Sequence, residues 1–384
     1  MNKKKVIYLI LIIVTFLTSI FSSKLYFDKT EQKKFNNNLS KTTQPTIKEN
    51  NETKSTNDEN ITTKKVDENS IDNDNNKTIN NTFNIKLSFA GDTMLASYKD
   101  QTTPGSFNEY ANNKEPSYFL SKVSNIFKED DFTILNLENV LTDQQLEEVN
   151  KNSDPAYWYK SKTDNIKILT TSSIEGLSVS NNHTNDYGPI GKQDTINTII
   201  NANIQYGDYN NIMYFEKNNY KIAVICKGLW IESQTNEIIK LIKEAEKNSD
   251  YQIVFFHGGQ EKIHHPEEWK VNATRKLIDN GADLVIGSHP HVIQPREIYK
   301  GKEIIYSLGN FCYGGNRNPE NRTIIYQMNL TIDSNNTLVN ENSEIIPCYV
   351  YTTKTNNYQP APIEDETIKN KVLNFMDWKE DTPL

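Results

Sequence analysis

Two histidines, His289 and His291, stand at i and i+2 directly after the apolar run Leu284-Val285-Ile286, and the chain has six histidines in all. A strand ending there presents two imidazoles to one point, which suits transition-metal coordination, because neutral imidazole is the commonest metal ligand. Taken alone, the pair reads equally well as two polar loop residues, so partners decide. Four more apolar runs end in comparable groups: Asp92 after LSFAG, Glu138 after ILNL, Asn182 and His183 after LSVSN, and His257 after IVFF. Carboxylates, an asparagine and three or four imidazoles form a mixed oxygen and nitrogen set. That set suits Mn, Zn or Fe, as one ion or as two about 3.5–4 Å apart.

Each position also has a plainer reading. Asp92 in a Gly-Asp turn is ordinary turn chemistry. Glu138 after three apolar residues in four is costly unless paired, which tilts it toward a role. Asn182 with His183 also reads as a helix cap and a loop histidine, and Asp186 as either a cap or a carboxylate that orients His183. Glu261, four residues after His257, is read as a substrate contact or a supporting acid. Asn310, after Gly309, is read as an amide donor to substrate. His264 and His265 are expected at the surface.

Strands whose carboxyl ends meet would position these groups, since ligand crevices of open α/β sheets lie there. Strands are expected over residues 85–91, 132–139, 176–183, 252–259 and 284–287. Helices are expected over 117–128, 164–170, 189–201, 232–247 and 266–280, the last closed by Gly281. Hairpins are expected at 212–227, 296–308 and 323–346. Helices alternating with strands indicate an α/β protein with largely parallel pairing and later antiparallel additions.

The N-terminus has a different character. Lys3, Lys4 and Lys5 precede 16 mostly apolar residues, 6–21, the pattern of a secretory signal or an uncleaved signal anchor. No small-x-small cleavage site follows, so residues 1–27 are expected to be a membrane anchor with the lysines held in the cytoplasm. Residues 28–84 hold 14 asparagines and two aromatics, too little apolar surface to fold, and are expected to be a disordered tether spanning roughly 40 Å. Residues 85–350 would form the folded domain, with 351–384 a C-terminal extension packed on it. This predicts a single-pass protein of the cell membrane, its C-terminal domain extracellular. A net charge of −8 argues against a nucleic-acid partner. Three scattered cysteines indicate neither a disulfide framework nor a zinc ribbon.

The blocks AGDTMLA, NLENVLT, SNNHTNDYG, HGGQE and GSHPHVIQP followed by YSLGNF occur in this order over about residues 85–322. Together they resemble the CapA family of capsule-biosynthesis proteins (PgsA in poly-γ-glutamate systems), itself similar to calcineurin-like metallophosphoesterases. The resemblance implies a four-layer α/β/β/α sandwich of two mixed β-sheets with a metal centre at one edge. It implies Asp92, Glu138, Asn182, His257, His289 and His291 as metal ligands and His183 as the group that assists the leaving group. Two positions depart from the phosphoesterase pattern. Met94 stands where a histidine ligand is normal, and Glu138 where an aspartate is.

These readings lead to an anchored, metal-dependent hydrolase or transferase of an anionic polymer such as poly-γ-glutamate. The alternatives are a non-catalytic subunit that holds polymer or contacts other capsule synthase subunits, and a secreted phosphoesterase.

Overall fold

The computed structural model describes residues 82–153 and 155–384. The expected anchor and nearly all of the expected tether lie outside the described residues. Among the described residues, no helix is long and apolar enough to cross a membrane.

Numbering strands along the chain, an eight-stranded mixed sheet has the order β17 (Ala361–Pro362), β16 (Leu338–Tyr349), β15 (Thr323–Ile332), β1 (Phe83–Met94), β3 (Phe132–Leu137), β6 (Gly176–Ser178) and β7 (Gln205–Gly207). The remaining strand, β14 (Asn310–Tyr313), pairs with the end of β1. A six-stranded mixed sheet runs β12 (Ile293–Tyr299), β13 (Lys302–Leu308), β11 (Leu284–Ser288), β10 (Tyr251–His257), β9 (Tyr220–Gly228) and β8 (Met213–Lys217). A small third sheet joins β2 (Ser97–Tyr98), β5 (Tyr159–Ser161) and β4 (Val140–Leu141).

Alternation along the strands explains how these sheets are covered. In β10, Ile253 and Phe255 enter a core that also takes Leu87 and Phe89 of β1 and Ile324 of β15, so both large sheets share it. Val254 and Phe256 point the other way, onto Ile238 and Ile242 of helix Thr235–Ala245 and Ala273 and Leu277 of helix Glu268–Asp279. Strands buried on both faces read as continuous apolar runs, as IVFF does. The first sheet's other face packs Ala90, Leu135 and Leu177 against Phe107, Phe127 and Ile199.

Helix Glu366–Met376 is capped by the Asp365 carboxylate, which accepts from the Thr367 and Ile368 amides. It buries Val372, Phe375 and Met376 in the shared core, so the last 34 residues expected as an extension in fact help to close that core. Strand β1 begins at Phe83, two residues ahead of the expected boundary.

Several expected elements are shorter than the sequence patterns suggest. The strand expected over 176–183 stops at Ser178, because the Thr184 hydroxyl donates to the Val179 carbonyl (2.6 Å) and accepts the Asn181 amide (3.1 Å). Such side-chain bonds compete with a strand ladder and bend the chain. The helix expected over 117–128 is a 3-10 turn, Pro116–Tyr118, followed by helix Ser124–Lys128. An unexpected helix, Phe107–Asn113, precedes it, capped by Ser106.

Candidate metal centre

Asp92 lies inside β1 rather than at its end. The register against β3 slips between Ala90 and Asp92, the mark of a β-bulge. That extra residue turns Asp92 away from the face occupied by Ala90 and toward the second sheet, as bulges commonly re-aim a side chain. Gly91 is the residue that makes the approach possible. A Cβ there would sit 1.8 Å from the Gly309 carbonyl oxygen, which instead accepts the Asp92 amide at 2.8 Å. On the opposing sheet, His257 is the last residue of β10 and pairs with Ser288 of β11. His289 and His291 then form a turn with φ of 98° and 58°, backbone that non-glycine residues rarely adopt and that is concentrated at functional sites.

The atoms around His257 Nε2 define the centre. Asn182 Oδ1 lies 2.8 Å away, His289 Nδ1 3.1 Å and Glu138 Oε1 3.4 Å. On the ring's other side, Ser288 Oγ is 3.0 Å from His257 Nδ1 and gives its own proton to the Phe256 carbonyl at 3.2 Å. Nδ1 thus meets Ser288 and the Asn136 amide, whereas Nε2 faces two acceptor oxygens and a second imidazole, a cluster that a shared proton or a cation must hold together. Four electron-rich atoms therefore converge at roughly 3 Å, the spacing expected of ligands that each sit about 2.0–2.2 Å from one cation. Glu138 is fully buried, and neither of its oxygens has a hydrogen-bond partner. A buried carboxylate left this way is costly, and a cation relieves the cost.

A second group adjoins the first. His291 Nδ1 is 3.3 Å from Asp92 Oδ2, and its Nε2 is 4.0 Å from Glu138 Oε1. Asp92 Oδ2 also accepts the His289 amide (3.1 Å). Burial by itself would lower the His291 imidazole, but the charges of Glu138 and Asp92 outweigh it and hold the ring raised to about 9. Burial, helped by the His257 and His291 rings, pushes His289 far down, so its imidazole is neutral and ready to ligate. Asp92, Glu138 and His291 offer ligand atoms mutually within 4.8 Å, as do Glu138, His257 and His289. Glu138 is common to both groups.

His183 stands beside this pair of groups. Its Nδ1 donates to Asp186 Oδ2 at 2.8 Å, leaving Nε2 available to a reactant. A cleft of about 560 Å³ opens over His183 and His291 and is lined also by Tyr159, Glu261, Asn310 and Tyr313. All ten residues singled out in the sequence thus meet at one edge of the two large sheets.

The model of the bacterial capsule synthesis protein family, PGA_cap, matches residues 86–314. This chain belongs to that family. It is 28% identical over 313 residues to the PGA biosynthesis protein CapA of Bacillus subtilis, covering 75% of this chain and 76% of that protein. It is 24% identical over 315 residues to the capsule biosynthesis protein CapA of Bacillus anthracis, covering 75% and 72%. A probable polyglutamine synthesis accessory protein of Mycobacterium tuberculosis is 23% identical over 184 residues, 40% of this chain and 48% of that one.

Within this PGA_cap protein, several residues that hold the site escaped the sequence reading. Asn136 donates to Asp92 Oδ1 at 2.9 Å, lies 3.2 Å from His257 Nδ1 and accepts from Asn181 at 3.1 Å. An amide inside the apolar strand FTILNL was its available signal. Lys151 sits 2.5 Å from Asp186 Oδ1, and the Tyr159 amide donates to Asp186 Oδ2 at 2.8 Å. Lys151 carries no sequence signal, since it lies in an irregular stretch. Trp230 lies edge-on to His289 at 4.9 Å between centroids.

His264 is also not the surface residue expected. Only its neighbour His265 is exposed, whereas His264 bonds the Ile293 carbonyl (3.1 Å) and Glu320 (3.0 Å).

Proposed function

We propose that this PGA_cap protein is a metal-dependent hydrolase or transferase of capsule-polymer synthesis, with poly-γ-glutamate the polymer its relatives' names suggest. The convergence of Asn182, His289 and Glu138 on Nε2 of His257, with His183–Asp186 alongside, carries the reading. The residues fit a divalent ion such as Mn, Zn or Fe: Glu138, Asn182, His257 and His289 would hold one, and Asp92, Glu138 and His291 part of another. Such an ion polarises a phosphoryl or carbonyl oxygen and lowers the pKa of water toward neutrality. Asp186, held by Lys151, fixes His183 with Nδ1–H inward, so that the imidazolium form carries its second proton on Nε2 and passes that proton to the departing oxygen or nitrogen. Asn310, whose Oδ1 is 3.0 Å from His291 Nδ1, and Glu261 on the cleft wall are proposed to orient the substrate.

The arrangement of layers is read as α/β/β/α, supported by one core shared by both large sheets and separate helix-covered cores outside each. Anchoring by residues 1–27, with the domain outside the cell, is proposed from the lysine-led apolar run. The full chain, supplied with Mn or Zn, should cleave a phosphoester or a γ-glutamyl amide, and His183→Ala should abolish that activity. Inactivity on both bond classes would overturn the enzymatic reading. A non-catalytic subunit is favoured by one observation, the buried Met94 where a histidine ligand is expected; polymer production in cells carrying only His183→Ala would then persist.

A further inference from the structure

The second half of the centre is short of ligands. Met94 is fully buried among Ala96, Tyr159 and Tyr313, so a thioether in an apolar pocket occupies the place of an imidazole. Hard or borderline divalent ions bind thioethers poorly. Asp92, Glu138 and His291 alone would give an ion three protein ligands, one of them shared.

Glu261 lies on the opposite wall. Its carboxylate and the rings of His289 and His291 offer ligand atoms mutually within 4.8 Å. The placement is built into the backbone: the amide of Lys262, a residue with φ of 61°, donates to the Pro290 carbonyl at 2.8 Å. That bond ties the Glu261–Lys262 turn directly to the turn carrying both histidines. The Glu261 side chain is exposed in the cleft, no salt bridge within 4.0 Å engages it among the described residues, and its carboxylate already lies within 4.8 Å of a His291 ring nitrogen. Beneath it, the two bare oxygens of buried Glu138 supply an independent sign that cationic charge belongs here.

We propose that Glu261 is a metal ligand, replacing the imidazole missing at Met94 and completing a second ion site with Asp92, Glu138 and His291. The inference rests on the metal-centre reading and replaces a substrate-contact role for Glu261. Carboxylate in place of imidazole makes this half harder and more negative, favouring Mn over Zn.

The test is titration of the full, detergent-solubilised chain with Mn by calorimetry, with bound metal counted after dialysis, and no activity is needed. Wild type should bind two ions. Glu261→Gln should keep the tighter ion and weaken the other at least about tenfold, since loss of even a ligand's supporting partner costs 10–100-fold. Met94→His placed on Glu261→Gln should restore the second ion. If Glu261→Gln binds two ions as wild type does, or if wild type binds only one, the proposal fails while the metal-centre reading stands. If wild type binds none, both fall. Thermal unfolding of each variant in chelator separates misfolding from ligand loss.

Discussion

Around His257, three nitrogen or oxygen atoms lie within 3.4 Å of one ring atom, Nε2. Around Asp92, two of the three contacts within 3.4 Å are N–H donors that cannot ligate, from Asn136 and the His289 amide, and the sulfur of Met94 is packed into an apolar cluster alongside. The two halves share Glu138 and differ in what the chain invests beyond it. One half is built on His257, the last residue of its strand, whose ring is held by Ser288 and Asn136. The other depends on a turn, His289–Pro290–His291, and on an exposed glutamate. If ions bind as proposed, unequal halves imply unequal affinities, the half around His257 holding the tighter ion.

The harshest way to break the comparison is Glu138→Gln, which removes the shared carboxylate. Both ions should be lost, together with the metal-dependent rise in Tm; that rise corresponds to about 2.7 kcal/mol when free ion is at a hundredfold excess over Kd. Scanning fluorimetry with and without Mn reads it, and one ion retained at full affinity would show the halves to be independent. Next in size is the contrast between His257→Ala and His291→Ala. The first should empty the tight half, whereas the second should spare it and weaken only the other, a difference of at least about tenfold in the tighter Kd by calorimetry.

Lys151→Met should leave both halves loaded but strip the buried Asp186 of its ammonium, costing about 1–3 kcal/mol in denaturant unfolding. A change in metal stoichiometry there would instead place Lys151 within the centre. The smallest effect lies on the cleft rim. Both His264 ring nitrogens face acceptors, so the doubly protonated ring is the form held; burial opposes this, but Glu320 prevails and the pKa is raised. A raised histidine stabilises fully below its ordinary value of about 6.5, and that contribution is lost as pH rises through the folded-state value. His264→Gln should flatten the fall in unfolding free energy over that window by less than about 1 kcal/mol and leave both halves unaltered.

The positions of these groups were readable because strand ends follow apolar runs, and the five runs before Asp92, Glu138, Asn182, His257 and His289 all lie in or beside the two large sheets. The direction in which Asp92 points was not readable. It depends on a bulge at Gly91, and a single inserted residue leaves no trace in apolar periodicity. Asn136, an amide inside an apolar strand, gains its role only from its three partners in the fold. Lys151 reaches Asp186 from 35 residues away through a stretch without regular structure, where no pattern constrains the path. Residues 366–376 carry an amphipathic helix, yet only the packed structure shows that Phe375 belongs to the main core rather than to a surface patch.

Strand β1 is the first element of the described domain, but it lies between β3 and β15, and its far end also pairs with β14. Asp92 accepts the amide of a residue 197 positions later. During synthesis, therefore, the earliest strand waits as an open edge while most of the domain is made, and closing so long a loop is slow. An ion held as proposed would therefore enter late, once Asp92 and the turn that carries His289 and His291 have met.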